Sequence, residues 1–265
     1  MIIIGERINA TRKTIAAAIA ARDEQHIVKV ATEQVAAGAS YLDINGGDPR
    51  QGAEVANMEW LVNLVQANTS VPLCLDSADP EAIEKGLSLV KAKPIVNSVS
   101  LEKERLEKFL PVLKRHECMV VALCMADGGM PGGVDDRVDR ASRLIEILAG
   151  VGRAHDEIIV DPCFMPVSAE PASGKAVCQA VAAIKAKYPQ VHIGGGLSNV
   201  SYGLPGRKYV NLAMVAAAVY HGMDAAIIDP CTPYMVPLML AAEVLSGADE
   251  WCANYVSAHR QGRLA

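Results

Sequence analysis

Short β-branched runs alternate with longer Ala-rich stretches from one end of the chain to the other. The pattern predicts strands at residues 2–4, 41–44, 72–75, 94–96, 119–124, 157–160, 191–193 and 225–228. Between them, apolar residues recur at helical spacing, as over 25–37, 53–67, 81–91 and 137–151. Gly38 and Gly222 follow such stretches, where a helix C-cap needs a left-handed residue. About eight β-then-α units with no linker imply a parallel sheet covered by helices, and eight strands close into a barrel. The chain's 265 residues fit that solution, which takes roughly 250. An open doubly wound sheet is the competing arrangement. No Gly-x-Gly-x-x-Gly follows the first strand, however, and Gly194-Gly195-Gly196-Leu197 lacks the third glycine. The expected fold is a single (β/α)8 barrel of the α/β class, with residues 1–265 forming one domain.

Composition narrows the function classes. The chain is 51% hydrophobic and 21% charged, which supplies a large core and excludes disorder. Its net charge is −5, aromatics make up 4%, and no run of Lys or Arg exceeds two residues, so nothing suggests a nucleic-acid surface. No apolar stretch approaches the ~18 residues of a membrane span, and the opening Met1-Ile2-Ile3-Ile4-Gly5-Glu6 is too short for a signal-peptide core. Seven cysteines, an odd number, are expected to be reduced thiols in a cytoplasmic protein.

In a barrel of this type the active site lies at the C-terminal mouth, so the last residue of each strand carries the most information. Here that position is polar almost everywhere. Glu6 and Asn9 follow the first strand, Asp43 and Asn45 the second, and Asp76 closes the third. Asn97 ends the fourth, Asp161 the sixth, Asn199 follows the seventh and Asp229 ends the eighth. Asp and Asn also make helix caps and turns, and for Asp48-Pro49 and Asp79-Pro80 that structural role is the stronger reading. For Asp229-Pro230 the two roles stand level. Asp76, Asn97 and Asp161 each end an apolar run and are expected to face the mouth. A ring of carboxylates and amides with little positive charge suits a ligand presenting several N–H donors beside a carbonyl and a ring nitrogen. The aminopyrimidinone edge of a pterin has that pattern. A phosphate-rich ligand would want more than Arg207-Lys208.

No Cys-x-x-Cys occurs and the six histidines are scattered singly, so no intrinsic metal is expected. Cys74, Cys124 and Cys163 read as small core hydrophobes. No Asp-x-His-x-x-Gly corrinoid-binding loop is present, and no Ser or Cys stands in an evident nucleophile elbow.

The segments Gly5-Glu6-Arg7-Ile8-Asn9, Leu42-Asp43-Ile44-Asn45, Cys74-Leu75-Asp76-Ser77, Ile95-Val96-Asn97-Ser98, Ile159-Val160-Asp161-Pro162 and Gly196-Leu197-Ser198-Asn199-Val200-Ser201 span nearly the whole chain. With them the sequence resembles the methyltetrahydrofolate:corrinoid protein methyltransferases, within the pterin-binding barrel superfamily. The resemblance implies a homodimer that binds tetrahydrofolate or methyltetrahydrofolate as substrate and exchanges methyl with a corrinoid supplied by a separate corrinoid protein. It places pterin-ring hydrogen bonds on Asp76, Asn97 and Asp161, with Asn199 beside the reacting N5. Glu6, Asn9, Asp43, Gly196, Ser198 and Arg207 line the same mouth, and Asn199, Asp161 and Asp43 are the catalytic candidates. The loop 125–131 and residues 202–206 depart from the family pattern, which bears on tail contacts or partner choice. Neither direction of methyl transfer is favoured, in acetyl-CoA synthesis or in demethylation of methoxy or methylamine compounds. A dihydropteroate synthase is the rival enzyme, but its basic Arg-x-His is absent where Ile228-Asp229-Pro230-Cys231 ends the last strand. A non-catalytic folate-binding barrel is the third class. Strand-to-helix connections are expected to be short, roughly 3–8 residues, with 127–134 the longest flexible candidate. Nothing before Ile2 or after Asp249 offers the length for a corrinoid-binding domain, so the mouth is expected to be open to a partner.

Overall fold

The computed structural model describes residues 1–50 and 52–264. Its strands are β1 (Ile2–Asn9), β2 (Tyr41–Asn45), β3 (Leu73–Asp76), β4 (Ile95–Leu101), β5 (Met119–Ala126), β6 (Ile158–Asp161), β7 (His192–Ile193) and β8 (Ala225–Ile228). Helices α1 (Lys13–Ala21) and α2 (Glu24–Ala36) follow β1. They are succeeded by α3 (Ala53–Asn68), α4 (Pro80–Leu87), α5 (Lys103–Arg115), α6 (Val134–Gly150), α7 (Ser173–Lys187), α8 (Arg207–Tyr220), α9 (Met235–Ser246) and α10 (Ala253–Arg260). All strand pairs are parallel, in the order β7-β6-β5-β4-β3-β2-β1-β8. The ends of that order meet. Asp224 N donates to Ile193 O at 3.1 Å and Ile227 N to Gly195 O at 2.9 Å, closing the expected (β/α)8 barrel.

Two apolar cores result from the strand's period of two. One face of each strand meets the helices in a continuous outer core that includes Leu42, Leu75, Val96, Val120 and Val160. The other face fills the barrel with Ile4, Cys74, Ile95, Met119, Val121, Ile159, Ala225 and Ile227. The lumen is therefore packed at its floor. Gly194 marks the tightest seam: a Cβ there would lie 2.0 Å from Ala225 O, so only glycine lets β7 meet β8.

Several boundaries depart from the sequence pattern. β1 continues to Asn9, because its inward alternation carries on through Glu6, and its register against β2 shifts between Gly5 and Ile8. α4 stops at Leu87, short of the predicted 91. The amides of Leu89 and Val90 both turn back to Gly86 O and tighten the last turn. Asp79 caps α4 by accepting from Glu81 N at 2.9 Å with Pro80 in the first turn, and Asp48 pairs with Arg50, as their structural reading expects. Gly38 and Gly222 adopt φ of 104° and 106° at their helix ends. The connections 162–172 and 194–206 are longer than expected. Pro162, Pro166 and Pro171 resist helix in the first, and the second carries a short 3-10 turn, Leu197–Ser201. Among the described residues, no helix is long and apolar enough to cross a membrane.

Candidate active site at the barrel mouth

The alternation that fills the floor also builds the site. Six of the eight inward rows start apolar and end polar: Ile4 then Glu6, Tyr41 then Asp43, Cys74 then Asp76, Ile95 then Asn97, Ile159 then Asp161, Ile227 then Asp229; the β5 row stays apolar through Leu123. The polar ends line one cavity of about 760 Å³. The ten catalytic and binding candidates reach it, namely Glu6, Asn9, Asp43, Asp76, Asn97, Asp161, Gly196, Ser198, Asn199 and Arg207, whereas Asn45 of the same ring does not line it. Asp229 also lines it, while its carboxylate accepts from Cys231 N at 3.0 Å in the turn its structural reading expects.

The β2–β4 side is knitted by side chains. Asn45 Nδ2 donates to Asp76 Oδ2 at 3.0 Å, Asn9 Nδ2 reaches the same oxygen at 3.5 Å, and Asn97 Nδ2 donates to Asp43 Oδ1 at 3.3 Å. Register sets this up, because Asp76 and Asn97 are direct neighbours across β3 and β4. Below them Arg105 donates to Ser98 O at 2.8 Å and Ser77 O at 3.3 Å, tying the two strand ends together.

Backbone knits the opposite side. Asp161 Oδ1 accepts from Cys163 N at 2.8 Å, and Oδ2 from Gly196 N at 3.3 Å. A Cβ on Gly195 would lie 2.0 Å from Asp161 Oδ2, so the carboxylate rests directly on glycine backbone. The 3-10 turn then carries Ser198, which donates to Glu6 Oε2 at 3.2 Å, and the exposed Asn199, whose side-chain amide makes no hydrogen bond among the described residues. Arg207 braces this turn from α8 through Ser198 O at 2.8 Å and Ser201 Oγ at 3.0 Å.

Charge is unevenly distributed. Burial pushes the carboxyls of Glu6, Asp43 and Asp76 above the usual range, and Asp43, the most deeply buried, is raised well above it by that burial and then by neighbouring Asp76. Asp161 is raised to about 6 by burial, offset by its two backbone N–H donors and by Arg137. Cations stand at the rim: Arg12, 3.2 Å from Glu6 Oε1, with Arg207 and Lys208. Such a cavity accepts hydrogen bonds at its depth and attracts anions at its edge.

Sequence reasoning missed Arg12, Thr11, Ser98, Asn211 and Thr232, which also line the cavity. Thr11 and Arg12 sit three residues or fewer beyond Asn9, so the end of β1 was a signal that could have found them. Asn211 and Thr232 enter from α8 and the β8–α9 loop, and only tertiary packing aims them inward. The cysteines Cys74, Cys124 and Cys163 are buried and free, as core residues.

Over residues 5–229 the chain matches the family of pterin binding enzymes. It is 34% identical to the methylcorrinoid:tetrahydrofolate methyltransferase of Eubacterium limosum, an alignment that covers 100% of this chain and 98% of that protein. Its fold is similar to the dihydropteroate synthase of Coxiella burnetii in complex with pteroic acid (TM-score 0.71, 15% identity, 94% of each chain). It is also similar to that of Burkholderia cenocepacia complexed with 7,8-dihydropteroate (TM-score 0.65, 21% identity, 94% of this chain and 93% of that one). The synthase structures share the barrel, whereas the methyltransferase shares the sequence throughout. The chain belongs to the pterin-binding enzymes, in the methyltetrahydrofolate:corrinoid protein methyltransferase family.

Proposed function

We propose that this enzyme moves a methyl group between the cobalt of a corrinoid, carried by a separate protein, and N5 of tetrahydrofolate bound in the barrel mouth. The observation that carries the reading is the ring of inward polar strand ends, with Asp76, Asn97 and Asp161 lining one cavity floored by apolar side chains. The two carboxylates accept from the pterin's amino and ring N–H groups, and Asn97 serves its carbonyl and ring nitrogen. Arg207, with Arg12 and Lys208, offers rim charge to the carboxylates of the folate tail.

The relative's name puts the methylcorrinoid as donor, and we read this chain in the same direction. N5 attacks the methyl carbon, the N5–C bond forms, and the Co–C bond breaks with both electrons left on cobalt, Co(III) becoming Co(I). The proton leaves N5 to water or a site carboxylate. In reverse, N5 must be protonated or firmly hydrogen-bonded before it can leave. Asn199 is the donor or acceptor at N5, acting through water, with Asp161 and Asp43 behind it. Burial, with Asp76 beside it, raises the Asp43 carboxyl well above the usual range, which suits proton exchange within the site. A positioned donor of this kind is worth ~2.7–4 kcal/mol in the transition state.

The corrinoid must approach the methyl from the side opposite N5, so the mouth must accept a partner. The side chains of Met130, Tyr202 and Tyr234, on the loops after β5, β7 and β8, are exposed there. An apolar groove of about 470 Å³ between α7 and α8, lined by Val167, Cys178, Val210 and Met214, supports the homodimer. The free cysteines support a cytoplasmic setting.

Methylcob(III)alamin and tetrahydrofolate, mixed with the purified protein, should yield cob(I)alamin and methyltetrahydrofolate, faster when the cognate corrinoid protein carries the methyl. Condensation of aminobenzoate with a pterin diphosphate, without methyl transfer, would instead establish the synthase.

A further inference from the structure

Arg137 is 2% exposed and among the largest fully buried side chains in the protein. A buried guanidinium normally lies against a carboxylate. Among the described residues this one forms no ion pair. Its Nε donates to Pro162 O at 2.8 Å, Nη1 to Gly133 O at 2.9 Å, and Nη2 to Cys163 O and Met165 Sδ, both at 3.5 Å. Three of these four acceptors belong to the turn immediately after Asp161.

That turn is the one whose amide holds the Asp161 carboxylate, through Cys163 N at 2.8 Å. Cys163 takes φ of 63°, a left-handed conformation that a non-glycine residue adopts at a cost. Drawing the carbonyls of Pro162 and Cys163 toward one guanidinium turns the following amide the other way, toward Asp161. We infer that Arg137 is a positioning residue for the methyl-transfer site, holding the turn 162–165 in its left-handed form and supplying the buried positive charge that keeps Asp161 an acceptor for the pterin. This rests on the reading that Asp161 binds the pterin.

The other titratable groups around this turn do not offer that charge. Cys124 on β5 and Cys163 itself are buried thiols pushed far above their ordinary range. Asp136 and Arg140 on α6 are paired with each other at 2.8 Å. Arg137, held against the turn that follows Asp161, is a cation whose charge favours ionised Asp161.

The test is a double-mutant cycle on methyltetrahydrofolate affinity, measured by calorimetry from pH 5 to 8 on the full chain. Asp161→Ala alone should weaken binding at neutral pH; if it does not, the reading of the site fails before Arg137 is reached. Where Asp161 matters, Arg137→Met should weaken binding by about tenfold and move the acid limb of the affinity profile upward by about one pH unit, since a lost cation raises a carboxylate's pKa. In the Asp161→Ala background, Arg137→Met should add little, because the group it serves is gone. Additive losses, or an unmoved acid limb, would show a merely structural arginine and overturn the inference. Arg137→Lys keeps the charge and loses the fork, so it should hold the acid limb in place and bind several-fold more weakly. It decides the matter if Arg137→Met does not fold: wild-type affinity in the Lys variant would overturn the proposal equally.

Discussion

The two ends of the barrel handle carboxylates in opposite ways. At the foot, Asp224 precedes β8 and meets Lys185 Nζ at 2.9 Å, His192 Nδ1 at 3.0 Å and Ile193 N at 2.8 Å. Those partners hold its carboxyl below the usual range against the opposing effect of burial. At the mouth, Asp43, Asp76, Glu6 and Asp161 are pushed upward by burial, and the first two crowd each other. The foot satisfies its charges and gains stability from them. The mouth leaves them under-compensated until a ligand brings donors, which is the pattern expected of a functional site.

Asp224, depressed when folded, contributes stability that is present above its unfolded pKa and lost as pH falls through its folded one. Asp161, raised to about 6, favours the folded state fully below its unfolded pKa and loses that contribution as pH rises through about 6. At neutral pH the unliganded mouth therefore carries a stability cost that folate binding offsets.

Variants at the two ends should separate turnover from stability. The largest effect is expected for Asn199→Ala, which should lower single-turnover methyl transfer by ~10²-fold or more while leaving the thermal midpoint in place. Near-normal turnover would assign N5 to another group. Next is Gly195→Ala, whose Cβ would collide with the Asp161 carboxylate. It should weaken methyltetrahydrofolate binding by about tenfold or more, an effect comparable to losing a charged hydrogen bond; unchanged affinity would show that Asp161 can move freely. A third is pH dependence: affinity should climb from pH 5 through about 6 to a plateau as Asp161 ionises to its acceptor form. A flat profile would remove Asp161 from recognition. The smallest effect on catalysis is expected at the foot. Asp224→Ala should lower stability by about 1–3 kcal/mol, given its partial exposure, and leave turnover unchanged. A catalytic defect there would dissolve the division between the two ends.

Much of this division was legible in the chain. Apolar runs that end polar at one strand after another pointed to both the barrel and the mouth, because caps and turns explain a single polar end but not a ring of them. The foot was not legible. Lys185, His192 and Asp224 belong to a helix, a strand and a turn, and no local pattern links them. Arg137 was hidden for a related reason: it stood at the predicted start of a helix, where a charge normally faces water. In the structure α6 begins at Val134 and turns Arg137 under the β6 loop. Gly195 looked like part of a failed dinucleotide motif. Its use is close approach to Asp161, which only the folded distances reveal.

The central claim is that the polar strand ends recognise a reduced pterin. Calorimetric titration of methyltetrahydrofolate into the wild-type protein and into Asp76→Ala tests it most directly. Asp76 lines the mouth and is held by Asn45 and Asn9 within it, so its loss removes an acceptor without opening the barrel core. The expected result is saturable binding by the wild type and a loss of ~1.5–3 kcal/mol in the variant, with an unchanged thermal midpoint. Equal affinity in the two proteins, or no binding by either, would contradict the account.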